Sequence, residues 1–188
     1  MVVWLRKNVD LYLKNNRSMR KITKSHLKKL CEIVFEDKND FFGNNPRYSF
    51  FKDRLYAILL VQGAAAHYVD GKTGINDFDL LVLFRSDENH KERLYRRAVK
   101  RHDFDVEDFR EDVPGFPIKE SYRKVDVIYR QIDPNIIDEN NLELSIKNYF
   151  SKGKTNSIKK YWAPRPVVGI YPENILGTIV WSGGQKTR

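Results

Sequence analysis

The sequence predicts an α+β domain, a mixed β-sheet flanked by helices. Three observations lead there. Tyr56-Ala-Ile-Leu-Leu-Val61 and Phe78-Asp-Leu-Leu-Val-Leu-Phe84 are short, nearly unbroken apolar runs set off by glycine and turn residues, the pattern of strands buried on both faces. Lys124 to Arg130 alternates, placing Val125, Val127 and Tyr129 on one side and Asp126, Ile128 and Arg130 on the other. Around these runs lie segments of helical period, clearest where Leu27, Leu30, Cys31 and Val34 form a stripe at i, i+3, i+4 and i+7.

Taken in order, residues 1–16 read as a helix of poor period, and Ser25 as the cap of a second helix whose wet face carries Lys28, Lys29 and Glu32. Asn15-Asn16-Arg17-Ser18 between them lacks the glycine turn of a helix-turn-helix, so both helices are expected to pack on the sheet. Asp37 to Arg47 is polar, contains Gly43-Asn-Asn-Pro46 and reads as a loop anchored by Phe41 and Phe42. The strand ending at Val61 runs into Gln62-Gly63 and the small residues Ala64-Ala65-Ala66, a short helical turn before the second strand. Asp87 to Arg101 reads as a helix with Leu94 and Ala98 inward and Arg96, Arg97, Lys100 and Arg101 outward, where they could contact phosphates, though an ordinary solvated face is the commoner use. His102 to Glu120 alternates charged and apolar residues and includes Pro114-Gly115-Phe116-Pro117, a turn ahead of the third strand. Asn140 to Phe150 suggests a helix, Ser151 to Ser157 a basic loop, Val167 to Tyr171 a strand, Ile175 to Trp181 a strand or short helix, and Ser182 to Arg188 a disordered tail. Tyr161 and Trp162 beside Arg165 fit either a base-stacking surface or plain core, and core is the commoner use.

A chain of 188 residues, 41% apolar and 13% aromatic, is enough for one folded domain, with basic N-terminal helices (about 1–40), a core (about 50–135) and a basic C-terminal segment (about 140–188). The lone Cys31 excludes an internal disulfide framework and fits a reducing compartment. No apolar run approaches the ~20 residues that cross a membrane, and the N-terminus lacks the form of a cleavable signal, so a soluble, cytoplasmic protein with no membrane partner is expected. The net charge of +9 is uneven: residues 1–30 hold nine Lys/Arg and one acid, residues 147–188 eight and one, and those +8 and +7 ends leave −6 for the middle. Basic ends around an acidic centre could steer a polyanion such as RNA or a nucleotide inward, or could simply keep the surface solvated.

The chemistry lies in three aspartates. Because side chains alternate along a strand, Asp77 and Asp79 point the same way, and two like charges held side by side call for a cation between them. If the strand bearing Asp126 pairs beside theirs, a third carboxylate reaches the same ion. Three oxygen ligands with open positions suit Mg²⁺, or Mn²⁺ in its place, bound together with a polyphosphate. Two such ions roughly 3.5–4 Å apart clamp the attacking and leaving oxygens of an in-line phosphoryl displacement. Any one of these aspartates could instead end a loop or pair with a surface cation; their conjunction with the glycine step upstream favours a metal site.

Gly63-Ala64, twelve further residues, Asp77-Phe78-Asp79 opening an apolar strand, and Asp126 within a later strand resemble the polymerase-beta-type nucleotidyltransferase superfamily. The resemblance covers residues 56–130 and implies a nucleotidyltransferase-like fold. It implies transfer of a nucleoside monophosphate from a nucleoside triphosphate, ATP among the candidates, to an acceptor hydroxyl with release of pyrophosphate. By the same resemblance, Asp77 and Asp79 ligate the metals, Asp126 ligates one and helps activate the acceptor, and Gly63 with Ala64 holds the phosphates. His67 falls near a basic position of several members, as a phosphate contact or a packed histidine. The acceptor implied is RNA such as tRNA, a protein hydroxyl or a small molecule, the first two through toxin–antitoxin members. Position 64 carries Ala where the family usually has Ser, which keeps open a non-catalytic module that binds nucleotide or nucleic acid. A second pattern, Ala66 to Thr73 with Gly71-Lys72-Thr73, imitates a phosphate-binding loop, but that motif needs a helix directly after it and a strand follows here.

Overall fold

The computed structural model describes residues 21–73, 75, 77–87, 90, 92–103, 122–153 and 158–184. The expected helix at 1–16, the turn at 114–117, the loop residues 154–157 and the last four residues of the tail lie outside them. The elements are α1 (Lys24–Asn44), β1 (Leu55–Val61), α2 (Gln62–Asp70), β2 (Asp77–Arg85), β3 (Arg96–Asp103), β4 (Tyr122–Ile132), α3 (Leu142–Lys152), β5 (Val167–Tyr171) and β6 (Ile179–Trp181). The strands form one mixed sheet in the order β3-β4-β2-β1-β5-β6. Only β2 and β4 run parallel; β1 with β2, β1 with β5, β3 with β4 and β5 with β6 are antiparallel. The α+β architecture is the one the sequence predicts. No helix among the described residues is long and apolar enough to cross a membrane.

Alternation along the strands divides the core in two. Phe78, Leu80, Val82 and Phe84 of β2 join Val125, Val127 and Tyr129 of β4 under Leu27, Leu30 and Val34 of α1 and Ala64 and Ala65 of α2. Leu81 and Leu83 of β2 and Ile128 of β4 face the other way, onto Ile146, Tyr149 and Phe150 of α3 and onto Trp162. Both faces of the central strands are therefore covered, which is why those strands read as continuous apolar runs. Trp162 is core, as its composition favours, while Tyr161 is exposed.

Three local expectations are corrected. The cap of α1 is Thr23, not Ser25: the Thr23 backbone N–H donates to His26 Nδ1 at 2.9 Å, closing a capping box. Residues 37–44 are not a loop but the last two turns of α1. Asp37 is buried there and bound by Tyr129, Arg96 and Lys100, Phe42 packs against Phe84 and Tyr129, and the Asn44 and Asn45 side-chain amides donate to the Asp40 and Phe41 carbonyls. Tertiary anchoring outweighs a composition that favours turns, and the helix stops one residue before Asn45-Pro46. Residues 96–103 are not helical but the strand β3, paired along its length with β4. In β3 the cations alternate, Arg96 and Lys100 toward Asp37 and Arg97 toward Asp126, so a period of two replaces the helical spacing of Leu94 and Ala98.

Candidate metal centre

The three aspartates converge because of register. In the parallel pair β2/β4, Asp79 lies directly opposite Asp126 and Asp77 opposite Lys124. Opposed residues share a face, and Asp77 and Asp79 share one by alternation, so all three carboxylates meet on the α3 side of the sheet. One carboxylate oxygen from each lies within 4.8 Å of the other two. Asp77 is the first residue of β2, and across the sheet Val61, the last residue of β1, is opposite Asp79, so α2 starts alongside the triad. The cluster thus sits where the covered face opens to the surface, with Asp77 half-buried and the other two enclosed.

The two enclosed carboxylates differ. Asp126 is 2% exposed, and its Oδ2 accepts from Arg97 Nε at 2.9 Å and from Arg97 Nη2. Asp79 is 6% exposed and its carboxylate accepts no hydrogen bond from any described residue. Burial pushes the Asp79 carboxyl up to about 7, the Asp77 and Asp126 charges push the same way, and Arg97 and Arg165 offset only part of it. Near neutral pH, with no cation beside it, Asp79 is therefore protonated about as often as ionised. Three hard oxygen donors, one of them a buried carboxylate to which no described residue donates, fit a divalent ion of the Mg²⁺ or Mn²⁺ kind.

The other predicted site residues fall into place unevenly. Gly63 lies half-exposed in the first turn of α2, near the triad, but Ala64 is enclosed in the core beneath α2. A hydroxyl at position 64 would point into that core, so its absence takes nothing from the triad's open side. His67 is also fully enclosed, and its Nδ1–H donates to the Thr73 carbonyl at 2.6 Å, which is the packed alternative. The phosphate-loop imitation is the end of α2: Gly71 is its left-handed C-cap, with φ 63°, and Asp70 ties down the turn by accepting from the Lys72 and Thr73 backbone N–H groups at 2.8 and 2.9 Å.

Three residues near the triad escape the sequence reading. Arg97 was expected on the wet face of a helix, as a solvated residue or a phosphate contact; its link to Asp126 comes only with its place on β3. Gln62 opens α2 with φ 59°, the only non-glycine at positive φ among the described residues. Arg165 stands exposed between Pro164 and Pro166, and its charge is felt at Asp79. Its loop is pinned: the Ala163 carbonyl accepts from Trp181 Nε1 at 2.9 Å and from the Gly184 N–H at 2.8 Å, and the Arg165 N–H donates to the Trp162 carbonyl at 3.1 Å. The flanking prolines are the one local signal that this arginine is held in place.

No family model, curated protein or solved structure matches this chain.

Proposed function

We propose that the protein is a metal-dependent nucleotidyltransferase of the polymerase-beta type, moving a nucleoside monophosphate from a nucleoside triphosphate to an acceptor hydroxyl. The observation that carries this reading is the convergence of Asp77, Asp79 and Asp126, with the Asp79 carboxylate accepting no hydrogen bond from any described residue. Asp77 and Asp79 would hold the divalent ions, and Asp126 would hold one of them and orient the acceptor. Bound Mg²⁺ neutralises phosphate charge and aligns attacking and leaving oxygens. The chain's own residues do the rest. Asp126 draws off the hydroxyl proton as the acceptor oxygen bonds to the α-phosphorus and the bond to pyrophosphate breaks. Arg165 and the backbone N–H groups at the start of α2, around Gly63, would hold the departing phosphates. Ala64, enclosed as it is, lends no support to the non-catalytic alternative.

Incubation with each labelled nucleoside triphosphate, Mg²⁺, total RNA and protein extract should place label in one pool and so identify the acceptor as RNA, protein or small molecule. Asp77→Asn and Asp79→Asn should each lower that transfer at least ~10²-fold, as loss of a group acting on the transferring phosphoryl does. Calorimetric Mn²⁺ binding should weaken in both variants. Mn²⁺ affinity unchanged by either substitution would rule out the site.

A further inference from the structure

We propose that Arg97 is a displaceable counter-cation of the triad: it holds Asp126 until a divalent ion arrives, the ion displaces it, and the freed guanidinium passes to the incoming polyphosphate. This deepens the nucleotidyltransferase reading and rests on it. Arg97 makes both of its bonds, from Nε and Nη2, to the single oxygen Oδ2 of Asp126. That carboxylate is one of the three whose oxygens crowd within 4.8 Å, so a divalent ion shared by the triad competes with the guanidinium for the same negative charge. Two cations a few ångströms apart also repel strongly where water is scarce.

The neighbouring arginine shows what a permanent anchor looks like on the same strand. Arg96 has a side chain only 21% exposed, bonds both oxygens of Asp37, and lies over the rings of Phe41 and Tyr129 at 4.4 and 4.9 Å. Arg97, by contrast, is 60% exposed along its side chain and is fixed at its tip, so swinging away sacrifices almost no packing. Asp126, however, is too deeply enclosed to be left bare. Arg97 leaves only when another cation takes over, which makes the exchange obligatory. Once released it stays tethered to β3 beside the triad, where its planar fork matches phosphate oxygens. Cation and polyphosphate should therefore bind with positive coupling that runs through this one side chain.

The test is Mn²⁺ titration of the full chain by calorimetry, with and without inorganic tripolyphosphate, for wild type, Arg97→Met and Arg97→Lys. Arg97→Met should bind Mn²⁺ alone roughly tenfold more tightly than wild type, the order that one charge-assisted pair is worth. Correcting for Mn²⁺ chelation by free tripolyphosphate, wild type should gain Mn²⁺ affinity when tripolyphosphate is present, Arg97→Met should lose that gain, and Arg97→Lys should fall between. Should Arg97→Met fail to fold, the wild-type Arg97 Nε–H resonance, assigned by its loss in Arg97→Lys, is followed instead; it should shift on addition of Mg²⁺. Equal or weaker Mn²⁺ binding by Arg97→Met, or an Arg97 resonance indifferent to Mg²⁺ that binds, overturns the proposal and leaves the metal site standing. Absence of Mn²⁺ binding by every form at millimolar concentration removes the metal site itself.

Discussion

Asp37 and Asp79 are both buried almost completely, at 2% and 6% exposure, on opposite faces of one sheet, and they are treated in opposite ways. Around Asp37 the chain supplies everything a buried carboxylate needs. Tyr129 Oη donates to Oδ2 at 2.7 Å, Arg96 forks onto both oxygens, and Lys100 Nζ stands 3.2 Å from Oδ1. Burial by itself would raise this carboxyl, but the Arg96 and Tyr129 hydrogen bonds and the Arg96 charge outweigh it and hold it below the usual range. Around Asp79 burial and two further negative charges outweigh the Arg97 and Arg165 charges, no described residue donates to the carboxylate, and the carboxyl rises. Burial alone thus says nothing of role. A carboxylate enclosed with its own cations joins α1 to β3 and β4, whereas one enclosed among like charges is left for a cation from solution.

The sharpest way to break this contrast is at Asp37. Asp37→Asn should destabilise the fold by roughly 3–5 kcal/mol, since it leaves the mostly buried Arg96 without its counter-charge. The sign with pH follows from the lowered carboxyl. Asp37 contributes its stability above the unfolded value of about 3.9, and that contribution drains away as pH falls through the lower folded value. Urea unfolding at pH 7 and at pH 3 should show a large gap between wild type and Asp37→Asn at the higher pH and one narrowed by up to about 1 kcal/mol at the lower. A variant as stable as wild type at pH 7 would mean that the cations around Asp37 are incidental.

Asp79 should behave in reverse. Its folded carboxyl is raised, so its contribution to stability is fully present below about pH 4 and is lost as pH climbs to about 7. In EDTA at pH 8, Asp79→Asn should therefore be more stable than wild type by roughly 1–3 kcal/mol, with the difference vanishing toward pH 4. Millimolar Mg²⁺ should stabilise wild type and leave the variant unmoved. If Asp79→Asn proves less stable than wild type at pH 8 in EDTA, the carboxylate is not the uncompensated charge described here.

The same contrast marks what can be read from the chain. The Asp79 side of the sheet was legible because the signals are local: apolar runs name β1 and β2, alternation names β4, and the two-residue spacing of Asp77 and Asp79 puts them on one face. Only the register that sets Asp79 against Asp126 had to be assumed. The Asp37 side was not legible. Asp37 lies in a polar stretch with glycine and three asparagines, and nothing nearby announces that Arg96, Lys100 and Tyr129, 59 to 92 residues away, will close over it. Arg96 and Lys100 were hidden in turn, because Glu92 to Arg101 is rich in Arg, Lys, Leu and Ala, all good helix formers, and only pairing with β4 makes residues 96–103 a strand. The same misreading concealed Arg97. Long-range ion pairs leave no mark on local composition, so the parts of the site that come from distant segments surface only with the fold.

A smaller effect extends the comparison to the backbone. Gln62, at φ 59°, begins α2 next to the strand position that faces Asp79, while no described residue of α1 around Asp37 has a positive φ. A left-handed conformation costs a residue with a Cβ about 1–2 kcal/mol, and such strain gathers where a fold must aim a backbone at a ligand. Gln62→Gly should relieve it and raise stability by up to about 1 kcal/mol after the extra entropy glycine loses on folding. Gln62→Ala keeps the Cβ and should gain nothing, which separates relief of strain from removal of the glutamine side chain. Equal gains in both variants would assign the effect to the side chain, and the strain would then have no part in presenting the first turn of α2 to the triad.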